Sequence, residues 1–404
     1  MEGVCSDLTT CQSPGRVGRG SAPVGLIWVG ASNWSIDPDP RYLLDMRLAA
    51  MALCVFLTAC TQTVTEAEET STSTGESATT SRTGVAPLVT TTGDESATSM
   101  SALIAPESLT VVAFPVPAGS RPHDVAPALD GGVWYTAQGS GELGWLNPVT
   151  GETRHIALGA GSRPHGVIID EQGTPWVTDS GLNAIVSVDP GSDAVTIFPL
   201  PDDTPEANLN TASFDADGTL WFTGNAGIYG SLDVGTGEMR IFEAPGGGGP
   251  YGITTTPKGS VFYASLAGSY IGAVDQDGSV TVIEPPTPGQ GARRVWSDSA
   301  GAIWVSEWNS GQLSRYLPET GEWSSWLLPG NDPAAYGGYV DDSDIVWVSD
   351  FGSNSLLRFD PVTEEFDVYP LPHDPGDVRQ ILGRPGEIWG AESAADQLVL
   401  IRTR

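Results

Sequence analysis

With 50 Asp plus Glu against 18 Lys plus Arg, the 404-residue chain carries a formal charge of −32, and a field of that sign repels polyanions. Nucleic acid and anionic lipid headgroups are thereby excluded as partners, while neutral and cationic ligands stay open. The 50 glycines, 31 prolines and 13 tryptophans, with no long stretch of helical apolar periodicity, point to an all-β fold with many turns.

In chain order, the first interpretable segment is residues 46–60, MRLAAMALCVFLTAC. One Arg, an apolar run from Leu48 to Leu57 and a small-residue end have the layout of a secretory signal, and the run is too short to span a bilayer. Its end, Leu57-Thr58-Ala59-Cys60, resembles a bacterial lipobox, which implies cleavage before Cys60 and lipid on its sulfur. Because a signal opens a chain, translation is expected to start at Met46, leaving residues 1–45 as an upstream extension without function. Residues 61–108 are Ser-, Thr-, Glu- and Gly-rich with almost no aromatics, too polar to bury a core, and read as a disordered tether. The chain is therefore expected to be exported and held to a bacterial membrane by its lipid anchor only. The cysteines are Cys5, Cys11, Cys54 and Cys60, so nothing beyond the tether can form a disulfide or a thiolate metal site.

Residues 109–404 repeat one unit. Its anchor aromatics are Trp134, Trp176, Trp221, Phe262, Trp304, Trp347 and Trp389, 41 to 45 residues apart. A glycine stands three before each, except for Asp344, as a hairpin turn with positive φ favours. Two further strands follow, joined by a turn that often holds Thr-Gly, and the last strand ends near proline, which suits an edge. Seven four-stranded units predict a seven-bladed β-propeller. The seventh unit stops at Arg404 without an edge strand, and Val111–Pro117 carries that strand's signature ahead of the first unit, so it is expected to close the ring. Burying roughly 200 Å² per anchor is worth about 5 kcal/mol gross, enough to assign the anchors to blade packing.

Eleven residues before the anchors stand His123, His165, Asn210, Tyr251, Arg293 and Tyr336, with Arg379 ten before the last. Antiparallel pairing sets them level with the residues three or four after each anchor, where Glu307, Asp350 and Glu392 are found. The expected result is a polar mouth around a central channel, with Asn210, Tyr251, Arg293, Tyr336, Arg379, Glu307 and Asp350 contacting a small-molecule or cyclic-peptide ligand. A merely solvated rim is the alternative.

The units RPHGVIIDEQGTPWVTDSGLNAIVSVDP (163–190) and PYGITTTPKGSVFYASLAGSYIGAVD (250–275) resemble the repeat of the virginiamycin B lyases, seven-bladed propellers with P-[HY]-G-I and W-F-T-E units. The resemblance covers residues 109–404. It implies a magnesium ion that polarises the substrate and a histidine that removes an α-proton, breaking an ester C–O bond of a cyclic depsipeptide by elimination. In that family an acid, a proline and a histidine open the last inner strand, a second acid follows its tryptophan motif, and a further histidine lies in the sixth blade. This chain has Asp377-Val378-Arg379, Glu392 and Tyr336 at those places. Asp377 and Glu392 are the expected metal ligands, and His123 and His165, in blades one and two, are the expected catalytic histidines, blade one adjoining blade seven. Three function classes follow: a carbon–oxygen lyase, a non-catalytic ligand-binding propeller, and a lactonase-type hydrolase, which seven units and the P-[HY]-G-I pattern disfavour. The chain is expected to act as a monomer.

Overall fold

Seven tight turns with left-handed backbone set the period of the molecule. The glycines at 131, 173, 218, 259, 301 and 386 have φ of 83–90°, and Asp344 holds the same region at 59°. An L-residue enters this region at a cost that glycine avoids. In blades 2, 3, 5 and 6 an aspartate, Asp170, Asp215, Asp298 or Asp341, accepts backbone N–H groups of the turn with one oxygen. Its other oxygen accepts the anchor indole N–H at 2.8–3.0 Å. Turn and anchor are thus one hydrogen-bonded unit.

The computed structural model describes residues 109–403. The expectations for residues 1–45, 46–60 with Cys60, and 61–108 lie outside the described residues. The described chain forms seven four-stranded antiparallel sheets, the seven-bladed propeller expected from the repeat. The inner strands are Pro122–Pro127, Pro164–Ile169, Leu209–Phe214, Pro250–Thr255, Ala292–Ser297, Ala335–Val340 and Val378–Arg384, for blades 1 to 7. Each packs against the inner strands of its neighbours, and the first packs against the last.

Closure follows the expected route. Val111–Pro115 pairs antiparallel with Gln397–Arg402 as the outer strand of blade 7, Ala113 opposite Val399. Phe114 lies 5.4 Å from Trp389, ring centre to ring centre. Asp396 adds a polar clasp by accepting the N–H groups of Gly119 and Arg121, both at 2.7 Å. Seven of the apolar clusters each hold one anchor, and Trp134, Trp347 and Trp389 are sealed from solvent.

Candidate functional site at the upper mouth of the channel

Every inner strand slips its register at the same place. In blade 1, Pro122 pairs with Ala137 and Val125 with Tyr135, which leaves His123 and Asp124 facing Thr136 alone. The same irregularity recurs at His165, Asn210, Tyr251, Arg293, Tyr336 and Arg379. A bulge re-aims side chains and increases local twist, and here it gathers one polar residue from each blade at the upper end of the channel. It also corrects the expected register, since the residue before the ring residue, not the ring residue itself, lies opposite the third position after the anchor. A hydroxyl two residues after the anchor stabilises the arrangement. Thr136 accepts the Asp124 N–H at 2.9 Å and donates to the His165 carbonyl of the next blade at 2.8 Å. Thr178 and Ser306 bridge their neighbours in the same way.

The ring has two arcs. In the polar arc the His123 and His165 rings lie 3.8 Å apart, centre to centre. His123 Nδ1 is 2.7 Å from Asp124 Oδ1, His165 Nδ1 is 3.1 Å from the Asn210 carbonyl, and Asn210 Nδ2 is 3.3 Å from His165 Nε2. In the aromatic arc the Tyr251 and Tyr336 hydroxyls are 2.5 Å apart. Arg293 donates to the Tyr251 hydroxyl at 3.0 Å, with its guanidinium 3.5 Å from the centre of the Tyr336 ring. Arg379 donates to Ser393 at 3.0 Å and to the Tyr336 hydroxyl at 3.3 Å.

A third guanidinium crosses the channel. Arg294 of blade 5 bonds the Thr211 hydroxyl of blade 3 and reaches Asp124 of blade 1 at 3.4 Å. Burial pushes the Asp124 carboxyl above its ordinary range, against the lowering influence of Arg294, His165 and Arg379. Sequence reasoning missed both Asp124 and Arg294, although each directly follows a ring residue and a bulge places consecutive side chains together. It also missed Leu266, Trp308 and Phe351, four residues after the anchors of blades 4 to 6. Trp308 meets Tyr336 edge to face and Phe351 stacks on it, so this half of the mouth is aromatic, and spacing alone could have found it.

The acids expected at the mouth have other occupations. Glu307 accepts the Ser310 and Ser314 hydroxyls, both at 2.5 Å. Asp350 accepts the N–H groups of Ala334, Gly352 and Ser353. Both are buried, and the ladder sets Glu307 opposite Ala292, next to Arg293, and Asp350 opposite Ala335, next to Tyr336. Glu392 Oε2 is 2.7 Å from Nδ1 of His373, a half-exposed histidine that the repeat gave no reason to single out.

The resemblance implies magnesium, and in blade 7 Glu392 offers an oxygen donor for such an ion. Glu392 Oε1 is buried without a hydrogen-bond partner, and the ladder sets Glu392 opposite Val378, next to Asp377. Position 376 is glycine, where a Cβ would stand 2.8 Å from that oxygen. Magnesium is commonly held by one or two carboxylates with water and substrate in its remaining positions. His123, Asp124 and His165 form a second group able to offer a metal three donor atoms, all within 4.8 Å of one another. Its two imidazoles suit a softer ion than magnesium, and Arg294 on Asp124 opposes any cation there.

Fold and mouth together define a seven-bladed propeller with a side-chain-filled channel that opens on a partly aromatic, partly polar rim. The virginiamycin B lyase family model matches residues 159–404, and the chain belongs to that family. It is 40% identical over 79 residues to virginiamycin B lyase of Nocardia farcinica (strain IFM 10152), a match covering 19% of this chain and 27% of that protein. A streptogramin B lyase structure superposes with a TM-score of 0.67 at 20% identity over 73% of this chain and 97% of that one. Virginiamycin B lyase from Staphylococcus aureus gives 0.68 at 19% identity over 74% and 100%. The same values hold for its catalytically inactive histidine-to-alanine variant with quinupristin. At these identities the superpositions establish the fold.

Proposed function

We propose that the upper mouth binds a small cyclic-peptide-type ester and opens it by elimination, with His123 as the base. The observation that carries this reading is the His123–Asp124 contact of 2.7 Å. A carboxylate accepting from Nδ1–H fixes the tautomer and leaves Nε2 as the basic atom, the arrangement that general-base histidines use. Asp377 and Glu392 in the adjoining blade would hold the magnesium, whose charge stabilises the developing enolate when bound. Tyr336 and Arg379 orient the ligand, and Leu266, Trp308 and Phe351 take its apolar side. His123 is 2% exposed, so the reading requires mouth side chains to part when ligand enters. In elimination His123 takes the α-proton, the C–H electrons form the Cα=Cβ double bond, the Cβ–O bond breaks with the carboxylate leaving, and the product is a linear peptide with a dehydrated residue and no added water. His123→Ala is expected to lower turnover on a streptogramin B substrate by on the order of 100-fold. A product heavier by one water, followed by mass spectrometry, would reject elimination.

One observation favours the second reading, a non-catalytic binding propeller. Both positions where the family carries histidines hold other residues, Tyr336 and Arg379, hydrogen-bonded to each other. On that reading no product forms with any metal, and the His123 variant changes affinity alone. The lipobox-like Leu57–Cys60 supports an exported, membrane-tethered location for either activity. Unchanged membrane fractionation of a Cys60→Ser variant would reject the anchor.

A further inference from the structure

The opposite end of the channel has a different chemistry. Where the inner strands run out toward their hairpin turns, they line a cavity of about 670 Å³ with Ile168, Phe214, Trp296, Tyr339 and Leu382, and Leu129 at its lip. The first five are half-buried, and Leu129 is 68% exposed. Trp296 and Tyr339 meet edge to face at 5.2 Å and stand between this funnel and an adjoining recess of about 610 Å³. Phe214 is common to both. The recess is walled by acids, Asp215, Asp298, Asp341, Asp342 and Asp344, and holds no Lys or Arg. Burial raises the Tyr339 hydroxyl above its ordinary value, with Asp341 and Asp342 adding to the effect, so its ring stays a neutral phenol in a negative field. The one cation lining the funnel, Arg384, is tied to Glu387 and to the carbonyls of Ala128, Gly131 and Gly132.

We propose that this lower funnel is a second ligand site, separate from the upper mouth, and that it takes a small amphiphilic cation. The apolar body fills the space among Ile168, Phe214 and Leu382, and the positive centre lies against the Trp296 and Tyr339 faces beside the acid wall. Three observations converge on that chemistry. The volume is that of a small-molecule pocket, aromatic rings in the lining attract cations, and the acids of the adjoining recess supply opposite charge. The surrounding field of a chain at −32 further concentrates cations at the opening.

The test compares tetraphenylphosphonium and tetraphenylborate, nearly equal in shape and opposite in charge, and the smaller neutral triphenylphosphine oxide, by isothermal titration against the intact propeller. The phosphonium should bind saturably at one site, the neutral probe about tenfold or more weakly, and the borate not at all. Trp296→Ala should weaken phosphonium binding about tenfold or more. Should that variant fold poorly, Leu129→Arg at the exposed lip tests the same point by repulsion and should weaken it similarly. Equal binding of cation and neutral probe would overturn the charge assignment. Absence of saturable binding, or binding untouched by both substitutions, would overturn the site. None of these outcomes depends on the upper mouth.

Discussion

Glu307 is a buried carboxyl held by two serine hydroxyls. Burial raises it above the ordinary carboxylate range, and its two serine hydroxyls only partly offset this. Its folded pKa therefore exceeds its unfolded one, so the native state binds the proton more tightly. The stability that this adds is fully present below the unfolded pKa, near 4.5, and is lost as pH rises through the folded value. Glu307→Gln removes the charge and keeps one acceptor for the serines. Relative to the parent, the variant should gain in melting temperature as pH goes from 4 to 8, by on the order of a few °C. An equal difference at every pH in thermal melts would show that Glu307 does not titrate in this window. At this scale the sequence was legible in part. The ring from His123 to Arg379 could be read from spacing, because a repeat places equivalent residues at equivalent heights. The hydrogen bonds of Glu307 and Asp350 could not, because they run to turn residues and to Ser314 of the following strand, which the repeat does not single out.

At the scale of the element, the bulge and the closing strand matter most. Periodicity revealed the blades because each anchor is tied to its own turn within a few residues. The bulge escaped notice because a one-residue slip leaves the composition of a strand unchanged while altering which side chains meet. The closing strand could be read because an edge signature stood ahead of the first unit and was missing after the last. Val111–Pro115 covers an otherwise open ladder, and Leu109, Val111 and Ala113 pack on the cluster holding Leu356, Val399 and Ile401. Phe114 packs on the neighbouring cluster beside Trp389. Removing residues 109–117 should expose both clusters and lower the melting temperature by more than roughly 10 °C, since several kcal/mol of burial are lost. An unchanged melting curve would mean that closure contributes nothing to stability.

A ring of blades that touch only their neighbours can open at any seam, and the buried polar network across the channel counters this at the scale of the whole molecule. Arg294 joins blade 5 to Thr211 of blade 3 and Asp124 of blade 1, contacts 83 and 170 residues apart in the chain. Separations of that size are beyond any local pattern, and this is why the sequence showed polar side chains around the ring but not the tie across it. Both groups are nearly sealed, at 1% and 2% exposure, so the pair carries a large desolvation cost that its attraction only partly returns. Breaking it from one side should therefore cost far more than the pair contributes. Asp124→Asn leaves the guanidinium buried without its counter-charge and should destabilise the propeller by about 3–5 kcal/mol. Arg294→Met combined with Asp124→Asn removes both charges, keeps most of the volume, and should recover more than half of that loss. Urea unfolding of the four proteins of this cycle measures the coupling directly. If the double variant is as unstable as the sum of the singles, the charges act independently and the cross-channel tie is not a unit.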